Sequence, residues 1–139
     1  MHAPVEPAIL RVVPHRAPIL RLERVLAATL RAVVVAGREP DGPGALPWEL
    51  GAIEGLAQAA AVLLAQAFAE HELPSDPRGM LVAVKRFTID GRPPAGATIH
   101  YHVGLVRQFG PTAMVRGHAA CDGERLAGGD LTLWSDQAR

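Results

Sequence analysis

The longest run of apolar and small residues in the chain is PWELGAIEGLAQAAAVLLAQAFAE, residues 47–70. This pattern predicts a helix of about six turns, with Pro47 at the first helical position, where its missing N–H is no loss. Apolar or small residues occupy almost every face, which is typical of a buried helix. Glu54 and Gln58 interrupt the run and share one face, since they are one turn apart. Because a buried carboxylate is costly unless it is paired or used, this pair is the first candidate for a functional site.

Strand patterns flank the helix on both sides. Residues 19–36 are predicted as one strand because they end in the β-branched Val33–Val35, although LERVLAATLRA within them is also compatible with a helix. The Asp122-Gly123 pair is typical of a tight hairpin. The chain after the helix is predicted to form a meander of four antiparallel strands, at 80–89, 97–109, 113–121 and 125–134.

The order of these elements predicts a single α+β domain over residues 1–139. Prolines interrupt residues 1–18, which we expect to form an irregular arm. A helix on one face of an antiparallel sheet of about five strands is the arrangement that the order favours. Such a sheet covers one side of the helix and leaves an exposed edge. We therefore expect a dimer with its sheets joined side by side, and a higher oligomer is compatible with the same pattern.

Composition narrows the classes of function. The chain has 14 Lys and Arg residues against 14 Asp and Glu residues, so no net field favours nucleic acid or a membrane as partner. The helix is also too short and too polar to be a convincing membrane span. Cys121 is the single cysteine, which excludes a disulfide framework or a Cys-based zinc site within the chain. We predict no cofactor and no metal, and the start of the chain lacks a secretory pattern, which favours the cytoplasm.

Three histidines lie in the predicted strands. His100 and His102 are two residues apart on one face, which is also a possible metal-ligand spacing. A third ligand is not evident in the sequence, so a solvated sheet face is the favoured interpretation. His118 is interpreted as a strand residue of no special role.

Two segments resemble the 3-hydroxyacyl-acyl-carrier-protein dehydratases of the FabA/FabZ type. Pro14-His15-Arg16, followed by ILRLERVL, is similar to the opening of that family, and the helix segment IEGLAQAA is similar to its central-helix signature. The resemblance covers about residues 10–135. It implies the hotdog fold, in which a sheet wraps around one long helix and two subunits pair. It also implies a thioester substrate attached to an acyl carrier protein.

The sequence departs from the family at the loop before the helix. The family has a catalytic histidine there, whereas the equivalent position counted back from Glu54 is Pro40, and no histidine occurs between His15 and His71. The family's Pro-Gly at the helix start is also lost, because Trp48 follows Pro47. Retention of the helix Glu without the loop His is most similar to the divergent dehydratase-like proteins of aryl-polyene-type pathways.

The resemblance assigns roles to several residues. Dehydration requires a base for the C2 proton, a donor for the leaving hydroxyl and N–H groups that stabilise the enolate-like carbonyl. Glu54 would bind or protonate the hydroxyl, and Gln58 would orient Glu54. Asp41, beside the lost His position, and His15, in the arm, are the weaker catalytic candidates. The structural alternatives for Glu54 are an ion pair with an arginine or a place at a polar dimer seam, and for Gln58 a purely structural hydrogen bond. For Asp41 the alternative is a turn role, and for His15 a packing role.

Binding residues are predicted at two places. Four residues of the helix are assigned to the substrate, namely Trp48, Gly51, Ile53 and Gly55. The glycines leave space for an acyl tunnel, and they equally permit close helix packing. Carrier proteins are acidic, so three basic residues are candidates to bind one, with ordinary surface charge as the alternative: Lys85, Arg86 and Arg92.

Four functions remain open from the sequence. The chain is a dehydratase with an altered catalytic set, or it is an incomplete subunit that forms an active heterodimer with a His-bearing paralogue. The third interpretation is a hotdog thioesterase, which the Pro-His-Arg segment disfavours. The fourth is an acyl-binding module without chemistry.

Overall fold

A computed structural model describes residues 6, 7, 9, 13, 20–40, 44–66 and 79–135. The central helix spans Trp48–Gln66, and the remaining described chain contains six strands. The predicted α+β class is confirmed, with six strands rather than about five. The strands are β1 (Leu22–Ala28), β2 (Ala32–Arg38), β3 (Gly79–Ile89), β4 (Thr98–Phe109), β5 (Thr112–Cys121) and β6 (Glu124–Ser135). They form one antiparallel sheet in the order β1-β2-β4-β5-β6-β3.

The prediction of one strand over residues 19–36 is wrong, because this segment folds back on itself as the β1–β2 hairpin. The turn is made by Thr29, whose backbone N–H donates to the carbonyl of Ala32 at 2.8 Å. The Thr29 hydroxyl also accepts hydrogen bonds from the backbone N–H groups of Arg31 (3.2 Å) and Ala32 (3.0 Å). A threonine side chain thus supplies the turn that glycine or asparagine usually signals.

The prediction of a four-strand meander is also wrong in one respect. Strands β4, β5 and β6 are consecutive neighbours, but β3 pairs with β6 and lies at the edge of the sheet. The Asp-Gly hairpin between β5 and β6 is confirmed. Asp122 and Gly123 have φ values of 52° and 79°, the left-handed pair that a tight type I′ hairpin requires.

The central helix packs against one face of the sheet. Alternate residues of the middle strands point toward it and are buried, among them Val35, Tyr101, Val115 and Leu131. The first helical hydrogen bond runs from the Gly51 N–H to the Pro47 carbonyl at 2.8 Å, so Pro47 precedes the helix rather than occupying its first position. Of the predicted arm, the described Ile9 and Val13 are buried in the core.

One stripe of the helix is only partly buried. Leu50 is 56% exposed, and Ile53, Glu54, Ala57 and Ala61 are half-buried at spacings of three or four residues. The sequence pattern suggested burial on every side, whereas this sheet covers only the opposite face. The helix is long and apolar enough to cross a membrane, but 67% of the window Trp48–Ala65 is buried. Its burial against the sheet is that of a core helix.

Candidate active site

A buried ion pair lies beneath the helix. The Arg21 guanidinium hydrogen-bonds to the Glu39 carboxylate, and the two side chains are 1% and 10% exposed. Arg21 Nε also lies 3.4 Å from the hydroxyl of Tyr101, which is fully buried. Burial alone would lower the pKa of Arg21, but its contacts with Tyr101 and Glu39 outweigh this and raise it. Burial raises the pKa of Tyr101.

Gln58 connects this buried network to Glu54. The backbone N–H of Arg21 donates to Gln58 Oε1 at 2.9 Å, and Gln58 Nε2 donates to Glu54 Oε1 at 3.1 Å. Gln58 is 2% exposed, whereas Glu54 is half-buried on the uncovered stripe. The two residues predicted to act together are therefore in direct contact. The described ion-pair partner of Arg21 is Glu39, not Glu54.

The glycines of the helix allow close contact with the sheet. A Cβ on Gly51 would lie 2.6 Å from the Arg21 guanidinium carbon, and one on Gly55 would lie 2.4 Å from the Tyr101 ring. Both distances are far below a normal contact, so only glycine permits the observed packing. The sequence left two roles open for these glycines, space for an acyl tunnel or close packing of the helix. Close packing is observed at both Gly51 and Gly55.

The start of the helix is tied to the loop after β3. Trp48 is 5% exposed, and its indole Nε1 donates to the Gly91 carbonyl at 2.8 Å. Arg92 forms an ion pair with Glu49 on the first turn. Of the predicted basic residues, Arg92 therefore lies beside the helix. Lys85 lies opposite Asp130 in the β3–β6 register, and Arg86 lies 4.0 Å from the Asp130 carboxylate, so both belong to the other face of the sheet.

The histidines of the described chain lie on that outer face, away from Glu54. His102 and His118 are paired across β4 and β5, and their rings stack with centroids 4.5 Å apart and planes 7° from parallel. Burial lowers the pKa of both, with further lowering from His118 and His100 at His102 and from Arg125 at His118. The sequence did not indicate this stack, because it depends on the register between two strands.

Other candidates are placed as follows. His15 and Asp41 lie outside the described residues, so their predicted catalytic roles stay predictions. Within the described ranges, no group of three or more His, Cys, Asp or Glu side chains is arranged to hold a metal ion. The assignments of Glu54 and Gln58 to catalysis, and of Trp48, Gly51, Ile53 and Gly55 to substrate binding, likewise stay predictions.

Comparison with known proteins identifies the fold. No family model and no curated protein matches the sequence. A chain of the dehydratase heterocomplex ApeI:P from Xenorhabdus doucetiae has 24% identity and a TM-score of 0.74, over 96% of this chain and 91% of that one. A hypothetical thioesterase with coenzyme A from Streptococcus pneumoniae TIGR4 has 11% identity and a TM-score of 0.63, over 84% and 87%. The HP0420 homologue from Helicobacter felis has 9% identity and a TM-score of 0.64, over 93% and 98%.

The chain has the hotdog fold. At these identities the likeness establishes the hotdog architecture, with its sheet wrapped around one long helix. The fold implied by the resemblance in the sequence is thereby confirmed. The chemistry of this hotdog chain has to be argued from its own residues.

Proposed function

We propose that this hotdog chain is a subunit of a dehydratase that acts on 3-hydroxyacyl thioesters carried by an acyl carrier protein. In this proposal it contributes Glu54 to a site that a His-bearing paralogous subunit completes. The main support is the position of Glu54. Gln58 hydrogen-bonds to Glu54, which lies half-buried on the partly exposed stripe of the helix. A second subunit laid along that stripe would enclose Glu54 beside its own residues.

The chemistry divides naturally between two such subunits. A histidine of the paralogue would remove the C2 proton, and Glu54 would bind or protonate the C3 hydroxyl as it leaves. Gln58 supports this role because its amide N–H donates to Oε1 of Glu54 and fixes that oxygen. In the described chain, His100, His102 and His118 lie across the sheet from Glu54. A histidine supplied by the partner fits this geometry.

Two further observations favour a paired subunit. Strand β3 is one of the two edges of the sheet and exposes Met80 (61%) and Val82 (59%). An exposed apolar edge is a ready template for pairing with another strand. The Xenorhabdus doucetiae structure that this chain resembles is a dehydratase heterocomplex, which supports a heterodimer with a paralogue as the working assembly. We propose that this assembly is cytoplasmic.

A thioesterase is the second candidate, because the fold is also that of a hypothetical thioesterase with coenzyme A. In that case Glu54 would activate water or attack the thioester carbonyl. The two reactions give different products. Dehydration leaves the acyl group on the carrier protein, whereas thioester hydrolysis releases free carrier protein.

The test is an assay with 3-hydroxyacyl carrier protein, in which intact-protein mass spectrometry follows the product. The purified chain is assayed alone, with a His-bearing dehydratase, and with that dehydratase's His→Ala variant. We expect loss of one water in the mixture that contains the intact histidine. Glu54→Gln in this chain should abolish the part of the water loss that requires the chain. Glu49→Gln, the same change on the first helical turn, should leave it intact.

Three results would contradict the proposal. Dehydration by the chain alone would show that it needs no partner histidine. Release of free carrier protein would favour the thioesterase. Unchanged dehydration with Glu54→Gln would remove Glu54 from the site.

A further inference from the structure

A groove opens on the face of the sheet opposite the central helix, with a volume of about 490 Å³. The antiparallel register of β5 and β6 brings the residues of this groove together, since Arg116 lies opposite Asp130 and His118 lies opposite Gly128. The volume is within the range of small-molecule sites. The lining residues are Arg86, Arg116, Gly117, His118, Arg125, Gly129 and Asp130.

Glycines next to this groove leave room for two of its arginines. A Cβ on Gly128 would lie 2.6 Å from Arg125 Nη2 and 2.9 Å from the Cβ of His118. Gly104 lies opposite Arg116 on the other side, and a Cβ there would meet no atom closer than 3.9 Å. Glycine at these positions therefore lets the Arg125 guanidinium lie over the sheet and leaves space beside Arg116.

The groove carries more positive than negative charge. Arg116 Nε donates to Asp130 Oδ1 at 2.8 Å, and Arg125 pairs with Asp90. Arg86 Nη1 lies 4.0 Å from Asp130 Oδ2, which is too long for a hydrogen bond. The Arg86 side chain is 83% exposed. Three guanidinium groups thus share two carboxylates, and the donors of Arg86 are not used by Asp130.

The backbone at Arg86 is strained in a way that shapes this groove. Arg86 has a φ of 54°, a left-handed conformation that non-glycine residues rarely adopt. It lies where the β3–β6 register shifts between Lys85 and Thr88. A residue held in such a conformation is a reason to look for function. Here the irregular backbone brings the Arg86 guanidinium to the same carboxylate as Arg116.

We propose that this groove binds a phosphoryl group through Arg86, Arg116 and Arg125. The planar guanidinium fork matches the oxygens of a phosphate in two parallel hydrogen bonds. The groove has an excess of one positive charge, whereas a phosphoryl dianion carries two negative charges. Binding the dianion would therefore draw Arg116 away from Asp130. A monocarboxylate would compete with Asp130 on equal terms. The ligand is inorganic phosphate or diphosphate, or the phosphate end of a larger molecule.

Isothermal titration calorimetry of the full chain, with inorganic diphosphate and with ADP as probes, tests this proposal. We expect the chain to bind at least one probe at submillimolar to millimolar concentration, more weakly as salt is raised. Equal affinity would indicate recognition of the phosphoryl group alone. Tighter ADP binding would indicate the phosphate end of a larger molecule.

Three variants make the test specific. Arg86→Gly removes the guanidinium and relieves the backbone, so binding should weaken about tenfold while the unfolding temperature does not fall. Asp130→Asn should tighten binding, because it removes the competing carboxylate. Arg24→Gln removes the same charge from β1, at the opposite edge of the sheet, and should change neither property.

The proposal is overturned if the chain binds neither probe, or if Arg86→Gly binds as tightly as the unmodified chain. Weaker binding by Asp130→Asn, with the fold intact, would also overturn it. So would binding of an acidic carrier protein that depends on Arg86 when neither phosphate probe binds.

Discussion

The backbone N–H of Arg21 donates to Gln58 Oε1 at 2.9 Å and thereby fixes which end of the Gln58 amide faces Glu54. With its oxygen occupied by that N–H, the amide presents its NH₂ to Glu54 Oε1 at 3.1 Å. Arg21 itself is held by Glu39 and Tyr101 beneath the helix. The orientation of Glu54 therefore depends on the residue just before β1, the residue just after β2 and one residue of β4.

Gln58→Met should destabilise the fold, because it keeps the volume but removes the two hydrogen bonds described for this buried amide. The Arg21 N–H would lose its acceptor, a loss that costs about 1–3 kcal/mol of unfolding free energy. Urea denaturation followed by circular dichroism measures the change. Glu54→Gln, which leaves the Arg21–Gln58 bond in place, is the control and should cost less. An equal cost for the two variants would show that the Arg21 bond contributes nothing measurable.

Gly55→Ala should destabilise the chain, contrary to the usual effect of this change within a helix. Alanine is normally favoured over glycine in a helix by about 1 kcal/mol. Here the added Cβ would lie 2.4 Å from the fully buried Tyr101 ring, so overpacking should reverse the sign. Thermal unfolding measures the effect, with Tyr101→Leu in the same chain expected to reduce it. A rise in unfolding temperature for Gly55→Ala alone would contradict the packing described here.

Stability should fall as the pH is lowered through the titration range of the stacked histidines. Burial lowers the pKa of His102 and His118 below 6.5 in the folded chain. Below that value the unfolded chain binds more protons than the folded chain, so protons favour unfolding. The other titratable or charged groups on this face include His100, Lys85, Arg86, Arg116, Arg125 and Asp130.

Urea midpoints between about pH 7.5 and about pH 5.5 measure this dependence. The double change His102→Asn and His118→Asn should flatten it, while His100→Asn, at an exposed position, should retain most of it. A dependence that survives the double change would have to come from other groups.

The sequence was informative where local chemistry determines the structure. Asp122-Gly123 predicted its hairpin because both residues readily adopt positive φ. The spacing of Glu54 and Gln58 predicted their contact because helical geometry is regular. The β1–β2 turn was missed because Thr29 makes it with a side-chain hydroxyl, in a segment without glycine or proline.

Long-range features could not be predicted in the same way. The edge position of β3 and the His102–His118 stack depend on which strands pair and in which register. The burial of Arg21 also depends on a distant residue, because the space over Gly51 admits its guanidinium beneath the helix. Local pattern says little about such tertiary partners.

Strand β3 should be the edge through which the chain pairs with a second subunit. Its edge exposes Met80 and Val82, and Val84 is 36% exposed, so adding charge there should oppose strand pairing. The double change Val82→Lys and Val84→Lys should convert a dimer of the chain, alone or with a His-bearing paralogue, to monomers.

Light scattering after size-exclusion chromatography measures this change. Val106→Lys is the matched control, because Val106 is 46% exposed on β4 in the interior of the sheet order and should leave the dimer intact. If the β3 variant remains dimeric with an unchanged unfolding temperature, the subunits pair through another surface. The helix stripe at Leu50 and Ala57 would then be the surface to test, since its apolar residues are also partly exposed.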